Sequence, residues 1–433
     1  MESLTRRLVR LVRTRPASSD ALVDAERYVR DWLGSFVAGA AEPTGHMLEA
    51  YADGARDLES RTFLASALSH VTETDDLHNA SVTHPGCVVI PVALLLGRQR
   101  VSRGHAALRA TLVGYEVMTR IGEALGPTHY RTFHNTATAG VFGSAAAAAS
   151  LLELDEDAWV WALGNAGTLA AGLWQFNVEG AMSKPLHAGH ASSTGLRAAL
   201  LAAQGLTGAE MILEGEKGLF AALCADARPD AVLADGPTWK LPETSMKPYP
   251  CCRHVHSAID AALEVRHALG GARPARVRVE SYPAAMECTD RLDPRSPQEA
   301  RFSIQYAVAS TLLRGPPGLE TFTPAAIRDP DVQAVLAQTS VECSPALTSA
   351  YPQQWGARVH VEATDGTRRH SDRDAATGDP DRPLDDAALD AKVSALFSWA
   401  GLDDSLSTSL LRQCRLLTED GPVFGLPAHQ GAR

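Results

Sequence analysis

Apolar residues recur at helical spacing over the first half of this chain. Ser18-Ser19-Asp20 offers a helix start, and Leu22, Ala25, Val29, Trp32, Leu33 and Phe36 follow along one face. From there to about residue 220 the pattern predicts helix after helix. Residues 136–150 (TATAGVFGSAAAAAS) and 189–203 are strongly enriched in small residues, which lets helix axes approach closely and reads as tight core packing. After about residue 270 the period changes. Residues 275–280 (ARVRVE) and 358–363 (RVHVEA) alternate apolar and charged positions, the period of half-buried strands. The second is followed by Thr364-Asp365-Gly366-Thr367, a hairpin-type turn. Residues 303–313 read as a helix between them, 372–386 as a polar loop, and 384–402 as a helix that packs back on the first part. The pattern therefore predicts a mainly α chain. It comprises a large all-helical domain over 1–268 and 384–433 and a smaller α+β domain over 269–383.

Composition narrows the class. The chain has 433 residues, 45% hydrophobic and 21% charged, which suits two globular domains. No apolar run approaches the ~18 residues that a membrane span needs. A formal net charge of −11 speaks against a nucleic-acid binder, and an anionic substrate would need a locally positive site. Seven cysteines without framework spacing suit a reducing, cytoplasmic setting. The five arginines among the first 15 residues, set between leucines and valines, read as an amphipathic arm and not a secretory leader.

Familiar motifs fail. No G-x-G-x-x-G follows a strand, no P-loop and no H-E-x-x-H occur, and Ala191-Ser192-Ser193-Thr194-Gly195 lacks the first glycine of a nucleophile elbow. Cys251, Cys252, His254 and His256 have the wrong spacing for zinc, since adjacent thiols rarely share one tetrahedral ion; no metal is expected.

Four segments carry chemistry instead. Glu73-Thr74-Asp75-Asp76-Leu77-His78 leads through His84-Pro85-Gly86 into an apolar run, which puts acids and imidazoles where a charged loop enters a buried helix. His134 opens the alanine-rich helix, where free backbone N–H groups attract a carboxylate and favour a neutral imidazole. Lys184-Pro185-Leu186-His187 and Lys247-Pro248-Tyr249-Pro250, the latter followed by His254 and His256, set lysine before proline and close to histidine. The chain has only five lysines against 35 arginines, so these two stand out as compact carboxylate donors. A helix cap, a surface lysine or a core histidine is the plainer reading of each segment taken singly.

In this order the segments resemble the MmgE/PrpD family, the superfamily of 2-methylcitrate dehydratase, cis-aconitate decarboxylase and iminodisuccinate epimerase. The likeness extends through Asp31-Trp32-Leu33-Gly34, Gly114-Tyr115-Glu116-Val117, Ile212-Leu213-Glu214-Gly215 and Phe302-Ser303-Ile304-Gln305-Tyr306. It implies a helical domain with an α+β lid, a homodimer, and a lyase for a small polycarboxylic acid that needs no metal or organic cofactor. An epimerase or a non-catalytic polycarboxylate binder is the alternative. By position it points to Asp75, Asp76, His84, His134, Lys184 and Tyr306 as catalytic and to Lys184, Lys247, His256 and His187 as substrate-binding. The two lysines and His256 would hold carboxylates, His134 or an acid of the pair would move a proton, and His84 would be the opposing acid. The sequence departs from the family pattern in places. The dehydratase branch has Asn-Asp and a serine after His-Pro, where this chain has Asp75-Asp76 and Gly86. The decarboxylase branch has an aspartate at the place of Glu73, and here one extra residue separates the acid pair from His84.

Overall fold

In the computed structural model, residues 2–52, 54, 57–234, 236 and 238–427 are described. The chain forms two units. The first runs through Val71, resumes from Asp75 to Ser245 and returns from Asp385; the second takes Thr72–Thr74 and Met246–Leu384. The fold is mainly α with a smaller α+β unit, as the periodicity predicts.

In the first unit the alanine-rich helix Asn135–Leu151 is buried along almost its whole length, between helices Gly104–Ala124 and Lys184–Ala202. The small residues permit this. A Cβ at Gly143 would lie 2.9 Å from the Gly114 carbonyl oxygen, and one at Gly195 would lie 2.3 Å from that of Val141. Ser18 caps helix Ser19–Ala40 by accepting from the Ala21 N–H. Helix Asp386–Trp399 packs back on that helix. Arg30, buried, reaches Asp386 at 2.8 Å and Asp390 at 2.7 Å, and Lys392 pairs with Asp31. The first unit also holds a short antiparallel pairing of Leu77–His78 with Thr244–Ser245. Among the described residues, no helix is long and apolar enough to cross a membrane.

The second unit holds a four-stranded sheet in the order Thr339–Cys343, Pro274–Ser281, Ala357–Ala363, Arg368–Arg373, with the first pair parallel and the others antiparallel. Val277 and Val279 face Val361 and Val359 across the central pair. These valines join the core made by helices His256–Leu269 and Ile304–Arg314. Residues 246–268 thus belong here, and not with the helical domain to which the sequence pattern assigned them. The apolar positions Ile259, Ala262 and Val265 announce a buried helix face, but periodicity does not say what covers it. The outer strands were also missed. Arg368–Arg373 (RRHSDR) has no apolar alternation, as befits a charged sheet edge.

Candidate active site

The acid-rich segment follows helix Leu58–Ser69, whose C-cap is His70. The chain passes through Thr72–Thr74, reaches Asp75 and Asp76, pairs briefly at Leu77–His78, and turns into His84, the N-cap of helix Pro85–Gln99. Two non-glycine residues with left-handed backbones bracket the acids: Glu73 at φ 57° and Val82 at φ 50°. A β-branched residue rarely adopts this conformation, and strain of this kind gathers at functional sites.

Asp75 stands between two imidazoles. Its Oδ2 is 2.6 Å from His70 Nδ1 and 3.3 Å from His84 Nδ1, and His84 Nδ1 also lies 2.7 Å from the Asp76 carbonyl oxygen. The His70 ring meets that of His84 edge-on at 4.7 Å and stacks over that of His134 at 5.9 Å. All four side chains are buried. Asp76 faces elsewhere. Its oxygens accept from the Tyr115 hydroxyl at 2.6 Å and the Gly86 N–H at 2.9 Å. Burial, with Asp75 and Asp31 adding, pushes its carboxyl up to about 8 in spite of those two donors. Gly86 makes this possible, since a Cβ there would sit 2.8 Å from the Tyr115 hydroxyl oxygen and 2.9 Å from Asp76 Oδ1.

His134 caps the alanine-rich helix and is tied to the same loop. Asn135 donates to the Ser81 carbonyl at 2.8 Å, and the His84 N–H donates to the Thr136 hydroxyl at 3.1 Å. The His134 N–H donates to the Gly172 carbonyl at 2.9 Å, which brings Trp174 to 4.8 Å from the His134 ring. His134 Nδ1 is 3.2 Å from His187 Nδ1, and Phe176 packs edge-on against His187 at 5.3 Å. His187 and the buried Lys184 come from the first turn of helix Lys184–Ala202, where Pro185 suits a helix start. Burial first, then the nearby basic groups His187, Lys184, His70 and His84, holds His134 well below the usual imidazole range. Burial first, then His70, Lys184 and His190, pushes His187 down to about 4. Both rings are therefore neutral at neutral pH. Cys87 is an inert thiol: burial first, then Asp75 and Asp76, pushes it far above the usual range.

The remaining candidates lie in the second unit. Lys247 is fully buried, and its ammonium donates to the Glu73 carboxylate and to the Glu73 carbonyl, each at 3.2 Å. His256 Nε2 lies 3.2 Å from the Cys251 carbonyl oxygen, and Tyr249 donates to Asp260 at 2.7 Å. Tyr306 is in that unit's core, where its hydroxyl donates to the Thr321 carbonyl at 2.6 Å. Within the first unit the structure thus brings together Asp75, His84, His134, His187 and His70. Asp76 adjoins them, and Lys184 acts electrostatically on His134 and His187. Within the second unit Lys247 meets Glu73, while Tyr306 has its own partner.

His70, Trp174 and Phe176 were not foreseen. The signal for His70 was a histidine five residues before the first aspartate, at a helix end. The donor set also bears on metals. One ligand atom from each of His70, His84 and His134 lies within 4.8 Å of those of the other two, a set that suits zinc-type ions. Carbonyl and carboxylate partners orient the first two rings, as is common around such ions.

Comparison with known proteins agrees with this layout. The family model of the MmgE/PrpD N-terminal domain matches residues 6–231, and that of the MmgE/PrpD C-terminal domain matches residues 249–406. The second match begins close to the observed start of the second unit. The chain is 26% identical to the cis-aconitate decarboxylase of Homo sapiens, over 91% of this chain and 89% of that one. It is 28% identical to the cis-aconitate decarboxylase of Mus musculus, over 82% and 77%. It is 26% identical to a cis-aconitate decarboxylase-like protein of Aspergillus oryzae, over 71% and 69%.

Proposed function

The chain belongs to the MmgE/PrpD family, and from that premise we propose that it is a lyase for a small polycarboxylic acid, working without metal or organic cofactor. Among the family's reactions, decarboxylation of an unsaturated acid of the cis-aconitate kind has the support of the relatives' names. The observation that carries the reading is the buried group of Asp75, His70, His84, neutral His134 and Lys184 in the first unit. Loss of carbon dioxide, loss of hydroxide and epimerisation share one demand. Negative charge builds on a carbon next to a carboxylate and must be met by fixed donors, after which a proton must be delivered.

Lys184 would supply the fixed positive charge, in a protein whose net charge of −11 offers the substrate none at long range. His84 and His134 border the place where a proton is exchanged. Asp76 carries its own proton at neutral pH, and its role is to anchor Tyr115 and the first turn of helix Pro85–Gln99. Of the acid pair, Asp75 is the member that serves the imidazoles. We also propose a homodimer, supported by the exposed apolar side chains Leu169, Leu173, Val178, Met182 and Leu186 and testable by light scattering.

The test is an NMR time course in deuterated buffer with EDTA, against cis-aconitate, 2-methylcitrate, citrate and iminodisuccinate. Release of carbon dioxide with deuterium entering the product supports the decarboxylase. New alkene signals from the hydroxy acids mark a dehydratase, and exchange without net change an epimerase. Folded protein that alters none of these acids would overturn the lyase reading.

A further inference from the structure

Deepening the proposed lyase reading, we propose that His70 is a catalytic proton carrier: Asp75 fixes its ring through Nδ1 and leaves Nε2 to exchange a proton with the substrate carbon. Three observations carry this. First, His70 Nδ1 makes the shortest imidazole–carboxylate contact of the cluster, at 2.6 Å to Asp75 Oδ2. With Nδ1–H donating, the neutral ring presents its lone pair at Nε2, and the carboxylate offsets the charge that the ring acquires on protonation. Second, His70 Nε2 is buried and has no hydrogen-bond partner among the described residues. A histidine kept only for structure would satisfy both nitrogens, since leaving one buried and unmatched costs about 1–3 kcal/mol. Third, the ring stacks against His134 and meets His84 edge-on, so all three imidazoles serve one small space.

The other two rings fit the task less well. His134 is held neutral by burial and by the basic groups around it. His84 Nδ1 faces the Asp76 carbonyl first and Asp75 only at 3.3 Å. In a decarboxylation the bond from carbon to the departing carboxylate breaks, and carbon dioxide leaves. The electron pair stays on carbon, delocalised toward the neighbouring carboxylate. The Nε2–H of protonated His70 then forms the new C–H bond, its bonding pair returns to the ring, and solvent restores the proton. Nδ1–H stays on Asp75 throughout.

The experiment compares the full-length wild type with His70→Asn, His70→Gln and His70→Ala, each checked by circular dichroism and thermal melting, with cis-aconitate as the probe. Asparagine can keep an N–H toward Asp75 but has no atom to carry the proton at Nε2. Glutamine places an amide near Nε2 and serves if the asparagine variant fails to fold. We expect kcat to fall about 10²–10⁴-fold in every variant with KM little changed, and added imidazole to restore turnover to His70→Ala. Near-wild-type turnover in His70→Asn beside an inactive His70→Ala would make His70 a positioning residue only and overturn the proposal. A wild type inactive on the whole panel would overturn the lyase reading and this inference together. An active wild type with active His70→Asn and His70→Gln would overturn this inference alone.

Discussion

Replacing Asp76 by asparagine tests whether the first unit stores a buried proton. In the folded chain the carboxyl sits at about 8, chiefly through burial; in the unfolded chain it returns to about 3.9. Between those values the folded chain keeps a proton that the unfolded chain has lost. Because the folded value is the raised one, Asp76's contribution to stability is complete below about pH 4 and is lost as pH rises toward about 8. The slope is about 1.4 kcal/mol per pH unit, so the loss by pH 7 is about 4 kcal/mol. Full burial leaves no solvent screening to reduce it. Asparagine has nearly the same shape and does not titrate. Its oxygen can still accept the Gly86 N–H, and its amide can donate to the Tyr115 oxygen. Urea unfolding of both proteins, followed by circular dichroism from about pH 4 to about pH 7, should show the variant gaining on the wild type by about 4 kcal/mol. Titrations shared by the two proteins cancel in this difference. A stability gap that stays constant across the range would refute the buried proton.

Lys184→Ala should lower kcat at least about 10²-fold; a near-normal rate removes Lys184 from the charge-stabilising role. Gly86→Ser forces a Cβ within 2.8 Å of the Tyr115 hydroxyl oxygen and should cost about 1–3 kcal/mol of stability, read by calorimetry. An unchanged melting midpoint would mean that Asp76 and Tyr115 give way freely. Zinc ions, added without chelator, should inhibit by binding His70, His84 and His134, and EDTA should reverse the effect; full activity in saturating zinc refutes that geometry. Lys247→Met leaves the Glu73 carboxylate buried without its cation and should cost about 3–5 kcal/mol, while Lys247→Met with Glu73→Leu should recover much of it. Equal destabilisation of the single and double variants would refute the pairing.

Helices whose apolar faces repeat over many turns, such as Ser19–Ala40, and strands that alternate cleanly, such as Ala357–Ala363, could be read along the chain because burial acts locally on each face. Helix His256–Leu269 showed its buried face equally well but not its partner, and the boundary was misplaced. The edge strand Arg368–Arg373 has no buried face to announce it. In the site, residue scarcity singled out Lys184 and Lys247 together, yet their environments differ: Lys184 bears on imidazoles, Lys247 on a glutamate. His70 stood within reach of the acid pair in sequence. Its importance depends on a ring orientation, which no spacing rule reports. Trp174 and Phe176 reach the histidines only through pairing of residues 132–134 with 172–174, a contact invisible to periodicity.

Arg30 has a consequence for how the chain is made. Its buried guanidinium is matched by Glu26 nearby, but also by Asp386 and Asp390, which a ribosome delivers only after the whole second unit has been translated. Until then the earliest long helix carries an incompletely compensated charge, and Gly34 awaits Val393 and Leu396. The unit begun first is finished last. A nascent chain stalled before residue 385 would expose this seam to proteases and chaperones, so in ribosome-bound intermediates the first unit should gain its protection late, after the second unit has been synthesised.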